Sequence, residues 1–156
     1  MFDKMRRQDK KMSNIRAKEI LKSSEYGILS TIGANGYPYG IPLNYVYENN
    51  SIYFHSANTG AKLNNIKKIN NKVSFCVVPW EKAVAEKFTT EYESVIFFGK
   101  AFFVEGKEKN RALELLVEKF SPEYSEKGKN MIDKEFDDTT VIRIDIDHIT
   151  GKESKI

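Results

Sequence analysis

One segment restricts the possible folds of this chain more than any other, namely residues 27–66, GILSTIGANGYPYGIPLNYVYENNSIYFHSANTGAKLNNI. The Asn35-Gly36 pair supplies the positive φ angles of a tight hairpin turn. A second short turn follows at residues 48–50, with the sequence ENN. Strands joined by turns this short must be antiparallel neighbours. The segment therefore predicts three antiparallel strands, at residues 26–32, 37–47 and 51–55.

A polar turn after the third strand leads into a predicted helix at residues 60–69. The turn brings together one imidazole, two hydroxyls and one ammonium, from His55, Ser56, Thr59 and Lys62. A helix N-terminus has unpaired N–H groups and a partial positive charge, so a phosphate could bind there. Ser56 and Thr59 could instead cap the helix. Lys62 could be an ordinary surface lysine, and His55 could be a packing residue.

The remaining segments complete the pattern of a small, mainly β domain. Capping residues and helical spacing predict helices at residues 14–22, at 108–120 and from Ser121 onward. Strand-like sequence occupies residues 73–78, 84–104 and 138–146. The segment 84–104 is too long for one strand, so a bend or hairpin is expected there, with Gly99 as a natural kink. About six strands with short turns predict one domain over residues 1–156, a small antiparallel β-barrel with peripheral helices.

Composition excludes several classes of function. The chain has 156 residues, of which 40% are hydrophobic and 30% charged, as expected for one globular domain. A net charge of +3 does not call for a nucleic-acid partner. Cys76 is the only cysteine, so no internal disulfide can form, and it is expected to pack as a small buried hydrophobe. Two histidines without a carboxylate cluster at ligand spacing argue against a metal site.

The N-terminal residues 1–12 form a basic, polar arm, which is expected to be solvated rather than to bind phosphate or a partner. The arm lacks the apolar run of a signal peptide. No segment approaches the ~20 apolar residues that a membrane helix needs, so no membrane association is expected. A cytoplasmic protein is the expectation.

Motifs for nucleophilic catalysis and for phosphate loops are absent, since the sequence has neither a GxSxG elbow nor a Walker loop. Any redox or transfer chemistry would therefore need a borrowed cofactor. Trp80, after Pro79 at a strand end, could cover a planar ligand or close the core.

The runs YGILSTIGANGYPYGIPLNYVYENNSIYFHSANTGAKLNNI, VSFCVVPW and EYESVIFFGKA, in this order, resemble the pyridoxamine 5'-phosphate oxidase-like FMN-binding split-barrel proteins. Among these, the chain looks most like the Nim-type branch, which is associated with 5-nitroimidazole resistance. The similarity extends from Met5 to Lys152. It implies a six-stranded antiparallel split β-barrel and a homodimer, with FMN bound in clefts at the subunit interface.

The resemblance also implies which residues hold the cofactor. The flavin ring would lie against the backbone of the second strand. Its ribityl phosphate would be bound by the third strand and the following turn. Trp80 and Ser94 occupy two further positions of the family site. The implied cofactor-binding residues are Gly40, Ile41, Pro42, Leu43, Asn44, His55, Ser56, Thr59, Gly60, Lys62, Trp80 and Ser94.

The sequence departs from the oxidase itself at several positions. Ala61 stands where the oxidase has an arginine beside the phosphate-binding lysine, and Gly40 stands where it has another arginine. The C-terminal HITGKESKI lacks the Arg-x-His element and the tryptophan-containing tail. These differences argue against oxidation of pyridoxamine phosphate and imply that less positive charge holds the FMN phosphate.

The resulting expectation is an FMN-dependent oxidoreductase, similar to nitroreductases, that reduces a small planar acceptor. His55 would be its catalytic residue and would donate or orient a proton. Two alternatives stay open. One is a flavin- or haem-binding module without turnover, and the other is an enzyme of the pyridoxamine or pyridoxine 5'-phosphate oxidase type.

Overall fold

Seven antiparallel strands form one sheet in the computed structural model, which describes residues 1–156. The strands are β1 (Tyr26–Ile32), β2 (Pro38–Asn44), β3 (Val46–Glu48), β4 (Ser51–Ala57), β5 (Lys72–Val84), β6 (Thr89–Val104) and β7 (Thr139–Ser154). The helices are α1 (Asn14–Ser23), α2 (Ala61–Asn64), α3 (Gly106–Phe120) and α4 (Ser125–Glu135), and a π-helical turn, Asn65–Ile69, extends α2. The mainly β class with flanking helices is confirmed.

The strand predicted at residues 37–47 is divided at Tyr45, which is why the structure has seven strands where the sequence indicated six. The order in the sheet is β2-β1-β5-β6-β7-β4-β3. β2 pairs with β1 along its whole length, whereas β3 pairs only with β4. The two strands at opposite ends of this order are therefore consecutive in the chain, and Tyr45 alone joins them.

The later strands are longer than the sequence indicated. β5 and β6 form one hairpin, which turns at Ala85–Lys87 and at Phe88, whose φ is +50°. The predicted kink at Gly99 is confirmed as a β-bulge between Phe98 and Gly99 in the pairing with β7. β7 continues to Ser154 because the polar sequence after Ile146 keeps pairing with β6, although it does not alternate between apolar and polar residues.

The main core lies between the inner faces of the strands and α1. Its fully buried side chains include Leu29, Phe54, Phe75, Phe97 and Ile144. A second, smaller cluster lies between α3, α4 and the strands β3 and β7, and includes Val46, Leu113, Leu116, Ile132 and Val141. The helical pair is thus fixed to the sheet by its own apolar contacts.

Tyr45 connects the main core to the first helix. Its side chain is fully buried, and its ring meets that of Phe75 edge to face, with 5.0 Å between the centroids. Its hydroxyl donates a hydrogen bond to the carbonyl of Leu21, one of the last carbonyls of α1, which have no helical partner. Burial raises the pKa of Tyr45, so the hydroxyl keeps its proton.

Lys119 of α3 holds Tyr45 from the other side. Its ammonium donates to the carbonyl oxygens of Tyr45, at 2.9 Å, and Ser24, at 2.5 Å. It also lies 4.5 Å from the centroid of the Tyr45 ring, a cation–π contact. Burial lowers the pKa of Lys119. The one residue that joins the two sheet edges is therefore bound to both α1 and α3.

The N-terminal arm is mostly exposed, as expected of a solvated leader, but Phe2 and Met12 pack on the sheet. The Phe2 ring stacks on His148, with centroids 4.6 Å apart, and on Phe98, at 5.2 Å. Met12 is buried, and its N–H donates to the carbonyl of Gly151 at 3.0 Å. Separately, none of the helices combines the length and the apolar character required to cross a bilayer.

We expect Tyr45→Phe to lower the free energy of unfolding by about 1–3 kcal/mol, because the buried carbonyl of Leu21 then loses its donor. Tyr37→Phe is the matched control, since Tyr37 is 73% exposed. Urea titration of both variants against the parent protein measures the difference. Equal midpoints for the two variants would show that the Tyr45 hydroxyl does not support the fold.

Candidate functional site

β2 and β4 separate beyond Tyr45 and leave an opening between them. The ladder between β3 and β4 ends at the pair Val46 and Tyr53, so Asn44 and His55 lie just beyond its last pair. β2 pairs with β1 alone, and β4 beyond Tyr53 pairs with β7 alone. Each strand therefore has one edge without a strand partner. We call this opening the fork, formed by residues 40–44 and 54–57.

The predicted flavin-facing residues all lie on β2, along one side of the fork. Gly40, Pro42 and Asn44 are exposed, whereas Ile41 and Leu43 are half-buried and pack against the main core. The Asn44 side-chain amide donates to the carbonyl of Glu25 at 3.1 Å. This strand thus presents an accessible backbone edge on a fixed support.

The predicted phosphate-binding residues lie together at the end of β4 and the start of α2. Ser56 is buried, Thr59 and Gly60 are exposed, and Lys62 is half-buried. The N-cap of α2 is Gly60, with φ +142°, a value that favours glycine. No side chain caps this helix, so the structure does not support a capping role for Ser56 or Thr59.

His55 points to solvent on the exposed face of β4 and does not belong to the core. The protein around the ring lowers the pKa of His55 below its ordinary value of 6.5, and the nearby Lys62 ammonium lowers it further. At neutral pH the imidazole is uncharged and therefore offers one N–H donor and one acceptor nitrogen. His55 lies near the end of β4 and Lys62 lies in the first turn of α2, so the two side chains belong to the same strand–turn–helix segment.

Asn58 fastens this turn to the rest of the domain, a contact that the sequence did not suggest. Its side-chain amide donates to the carbonyl of Asp137 at 3.0 Å, and its side-chain oxygen accepts from the Thr140 hydroxyl at 2.7 Å. Both partners are about eighty residues away along the chain. No local pattern could have indicated them.

Trp80 and Ser94 lie away from the fork within a single chain. Trp80 follows an irregularity in β5 and pairs with Glu93. The Glu93 carboxylate is buried and binds Arg16, at 3.1 Å, and Lys155, at 3.3 Å. Burial opposes ionisation of Glu93, but hydrogen bonds from Arg16, Lys155 and Trp80 outweigh it and lower its pKa. Ser94 lies beside a small cavity on the outer face of β6.

A groove beside the fork was not indicated by the sequence. It has a volume of about 790 Å³ and is lined by residues of α3 and α4 and by Asn44 and His55. Phe120 is the last residue of α3. In the structure Phe120 is 37% exposed and lines this groove. We call it the helical groove.

The outer face of β1, β5 and β6 carries apolar side chains in register. Ile28 pairs with Cys76, and Cys76 pairs with Ile96, so the three side chains form one row across the sheet. Ile28 and Ile96 are 36% and 42% exposed. The expectation that Cys76 would be buried is wrong, since it is half-buried on this face. Its partial burial raises the pKa of the thiol. No group of three His, Cys, Asp or Glu side chains could hold a metal ion.

Residues 14–153 match the family model described as pyridoxamine 5'-phosphate oxidase. The chain belongs to this family. The match spans all seven strands but the last residue of β7, and it includes both sides of the fork. Among curated proteins, no sequence matches the chain.

Solved structures of similar fold include flavin- and haem-binding proteins. A candidate 5-nitroimidazole antibiotic resistance protein from Bacteroides thetaiotaomicron is 25% identical, with a TM-score of 0.73 over 91% of this chain and 85% of that one. The flavocytochrome Anf3 from Azotobacter vinelandii is 19% identical, with a TM-score of 0.82 over 98% and 73%. A FAD- and haem-binding protein from Mycobacterium smegmatis is 17% identical, with a TM-score of 0.80 over 94% and 74%. The similarity to the last two proteins shows a shared fold with the present chain.

We expect His55 to titrate below the ordinary histidine range, and Lys62→Ala to move its pKa upward, because the variant removes a neighbouring positive charge. Lys67→Ala, on the exposed side of the π-helical turn, should leave the His55 titration unchanged. NMR titration of the imidazole protons measures the His55 pKa in the parent, in Lys62→Ala and in Lys67→Ala.

The same shift has a consequence for stability. The unfolded chain binds the His55 proton more readily than the folded one does, so the folded state loses stability as the pH falls below about 6.5. A His55 titration that is identical in the parent and in Lys62→Ala would show that the two side chains do not interact.

Proposed function

We propose that this protein binds FMN at the fork and is an oxidoreductase that reduces a small planar acceptor. The observation that carries the proposal is the pair of unpartnered strand edges, with an uncapped helix start and Lys62 beside them. Membership of the pyridoxamine 5'-phosphate oxidase family and similarity to a candidate nitroimidazole resistance protein support the same reading.

The flavin ring would lie along residues 40–44. The polar edge of an isoalloxazine ring has oxygen acceptors and an N–H donor, which can pair with the N–H and C=O groups of an unpartnered strand edge, to which Pro42 contributes only its carbonyl. Gly40 and Pro42 present little side-chain bulk on the exposed face of β2, so a planar group can approach the backbone. Asn44 would close this site at the mouth of the fork.

The phosphate would bind where β4 meets α2. Free N–H groups at the start of α2, the Thr59 hydroxyl and the Lys62 ammonium would contact it, with Ser56 and Gly60 shaping the turn. Ala61 and Gly40 replace the arginines of the oxidase, so Lys62 would contribute most of the charge. This also argues against an enzyme of the pyridoxamine 5'-phosphate oxidase type.

The active assembly would be a homodimer of split barrels. With β2 and β3 counted as one strand broken at Tyr45, the sheet would close as a six-stranded barrel. The apolar row of Ile28, Cys76 and Ile96 would face its copy, because an exposed apolar face of this kind is typical of a subunit interface. Two-fold symmetry would bring Trp80 and Ser94 of one subunit toward the flavin of the other. A flavin-loaded protein whose mass in solution corresponds to a single 18.0 kDa chain with its flavin would refute this assembly.

His55 would act as the proton donor. In such enzymes the flavin supplies the electrons. The protein holds the flavin, orients the acceptor and supplies protons to it. A nitro group that takes up two electrons and two protons becomes a nitroso group and releases water. The His55 ring lies at the mouth of the fork, and as a neutral imidazole it can pass a proton from solvent to the acceptor oxygen.

A module that binds flavin or haem without turnover is the second candidate. The flavocytochrome and the FAD- and haem-binding protein of similar fold favour it. The visible spectrum separates the candidates, since flavin and haem absorb in different bands. Reoxidation of a bound flavin by an acceptor separates an enzyme from a module.

We expect Lys62→Ala to weaken FMN binding by about 10- to 100-fold, because a hydrogen bond to a charged group contributes about 1.5–3 kcal/mol. Lys67→Ala is the control and should bind FMN as the parent does. Quenching of FMN fluorescence during titration measures the dissociation constants, and FAD titrated in parallel tests the choice of cofactor. An unchanged affinity in Lys62→Ala would refute the phosphate position.

We expect the bound flavin, once photoreduced without oxygen, to be reoxidised by 2-methyl-5-nitroimidazole. His55→Gln should slow this step about 100-fold or more, since a positioned proton donor typically contributes at least that factor. Lys67→Ala should react at the parent rate. Stopped-flow absorbance of the flavin band gives the rates. A flavin that stays reduced in the parent protein would favour the module without turnover.

A further inference from the structure

The helical groove has a rigid floor and an exposed apolar rim. Leu113, Leu116 and Ile132 form the floor and are buried in the second core cluster. Tyr124 and Met131 stand on the rim and are 61% and 51% exposed. Large apolar side chains that remain exposed around one concave surface are typical of a binding site.

The two walls of the groove are held close together by a glycine. A Cβ atom on Gly128 of α4 would lie 2.6 Å from a methyl group of Val117 in α3, so α4 approaches α3 more closely than any other residue would allow. Because this contact belongs to the helical pair itself, the groove exists without a ligand. Its volume of about 790 Å³ lies within the range of small-molecule sites.

The groove reaches the fork, because Asn44 and His55 line the groove and also stand at the mouth of the fork. The Asn44 amide nitrogen is engaged by Glu25, which leaves its side-chain oxygen free, and the neutral imidazole of His55 has an N–H to donate. A ligand with an oxygen atom at one end could bind His55 and lie against a ring bound along β2.

Charge and shape restrict the class of ligand. Lys127 and Glu135 are the only charged side chains that line the groove, and their charges are opposite, so the groove does not select an ion. Aromatic rings of Phe120 and Tyr124 on its border favour a flat partner that can stack on them. These features suit an uncharged, flat molecule better than a phosphorylated one.

We propose that the helical groove binds an uncharged planar aromatic molecule with a carbonyl or nitro oxygen directed at His55. This inference rests on the proposed function, because it makes the groove the acceptor site beside the flavin. It assigns substrate selection to α3 and α4 and cofactor binding to β2, β4 and α2.

The test uses 2,3-dimethyl-1,4-naphthoquinone, an uncharged two-ring acceptor whose fully substituted quinone carbons disfavour addition of the Cys76 thiol. Calorimetric titration of the full-length protein, with and without FMN, gives its dissociation constant. Met131→Lys should weaken binding about 10-fold, because the new ammonium must lose water against an apolar ligand. Glu135 lies one turn further along α4, so the variant should fold normally.

The control is Ile15→Lys, which places the same charge at a residue that is 75% exposed on α1, outside the groove. It should bind the naphthoquinone as the parent does. Both variants should bind FMN with unchanged affinity. If the parent fails to bind FMN yet binds the quinone, and Met131→Lys weakens that binding, the groove is a ligand site although the proposed function is wrong.

A second readout uses the methionine methyl groups, of which the chain has four. In the NMR spectrum of protein labelled at these methyls, the naphthoquinone should shift the Met131 signal and leave that of the buried Met12 unchanged. Equal quinone affinities for the parent and Met131→Lys would overturn the proposal. So would a fall in the mass of the assembly in Met131→Lys, since a second copy of the chain would then be what covers the groove.

Discussion

The buried contacts of Tyr45 are the constraint on which the rest of the structure depends. An uninterrupted strand at this place would pair along its whole length and leave no opening. Two hydrogen bonds fix Tyr45 between α1 and α3. Its hydroxyl donates to the carbonyl of Leu21, and the Lys119 ammonium donates to the carbonyl of Tyr45. The strand then turns away from β4 at a defined point, and two strand edges remain accessible.

The accessible edges remain in place because the elements that carry them are supported from outside the fork. β2 is held by its full pairing with β1, and the turn after β4 is held to β7 by Asn58. At the far end of the domain, the buried Glu93 joins α1 to the C-terminal residues through Arg16 and Lys155. A site built this way is rigid before any ligand arrives, which lowers the entropic cost of binding.

The sequence predicted those parts of the molecule that local chemistry determines. The first hairpin follows from Asn35-Gly36, and the start of α2 follows the turn that contains Thr59 and Lys62. The grouping of residues 40–44 with that turn came from the family resemblance and not from local chemistry. The break at Tyr45 was not predicted, because a tyrosine within an alternating strand gives no local sign that its hydroxyl will meet a helix end. The helical groove was not predicted for a similar reason. The spacing of apolar residues in α3 predicts an apolar face but does not show how much of that face a neighbouring helix covers.

The position of Phe2 has a consequence for work with this protein. The arm lies on Phe98 and His148, on the outer face of the sheet, and Met1 and Phe2 line a cavity with Ser30 and Ser74. This is the same face on which a second copy is proposed to pack, so the first residues and the partner would compete for it. An affinity tag fused before Met1 would enlarge the group held there and bias the sample toward single chains. Recombinant protein with nothing fused before Met1 is therefore the appropriate sample for studying assembly.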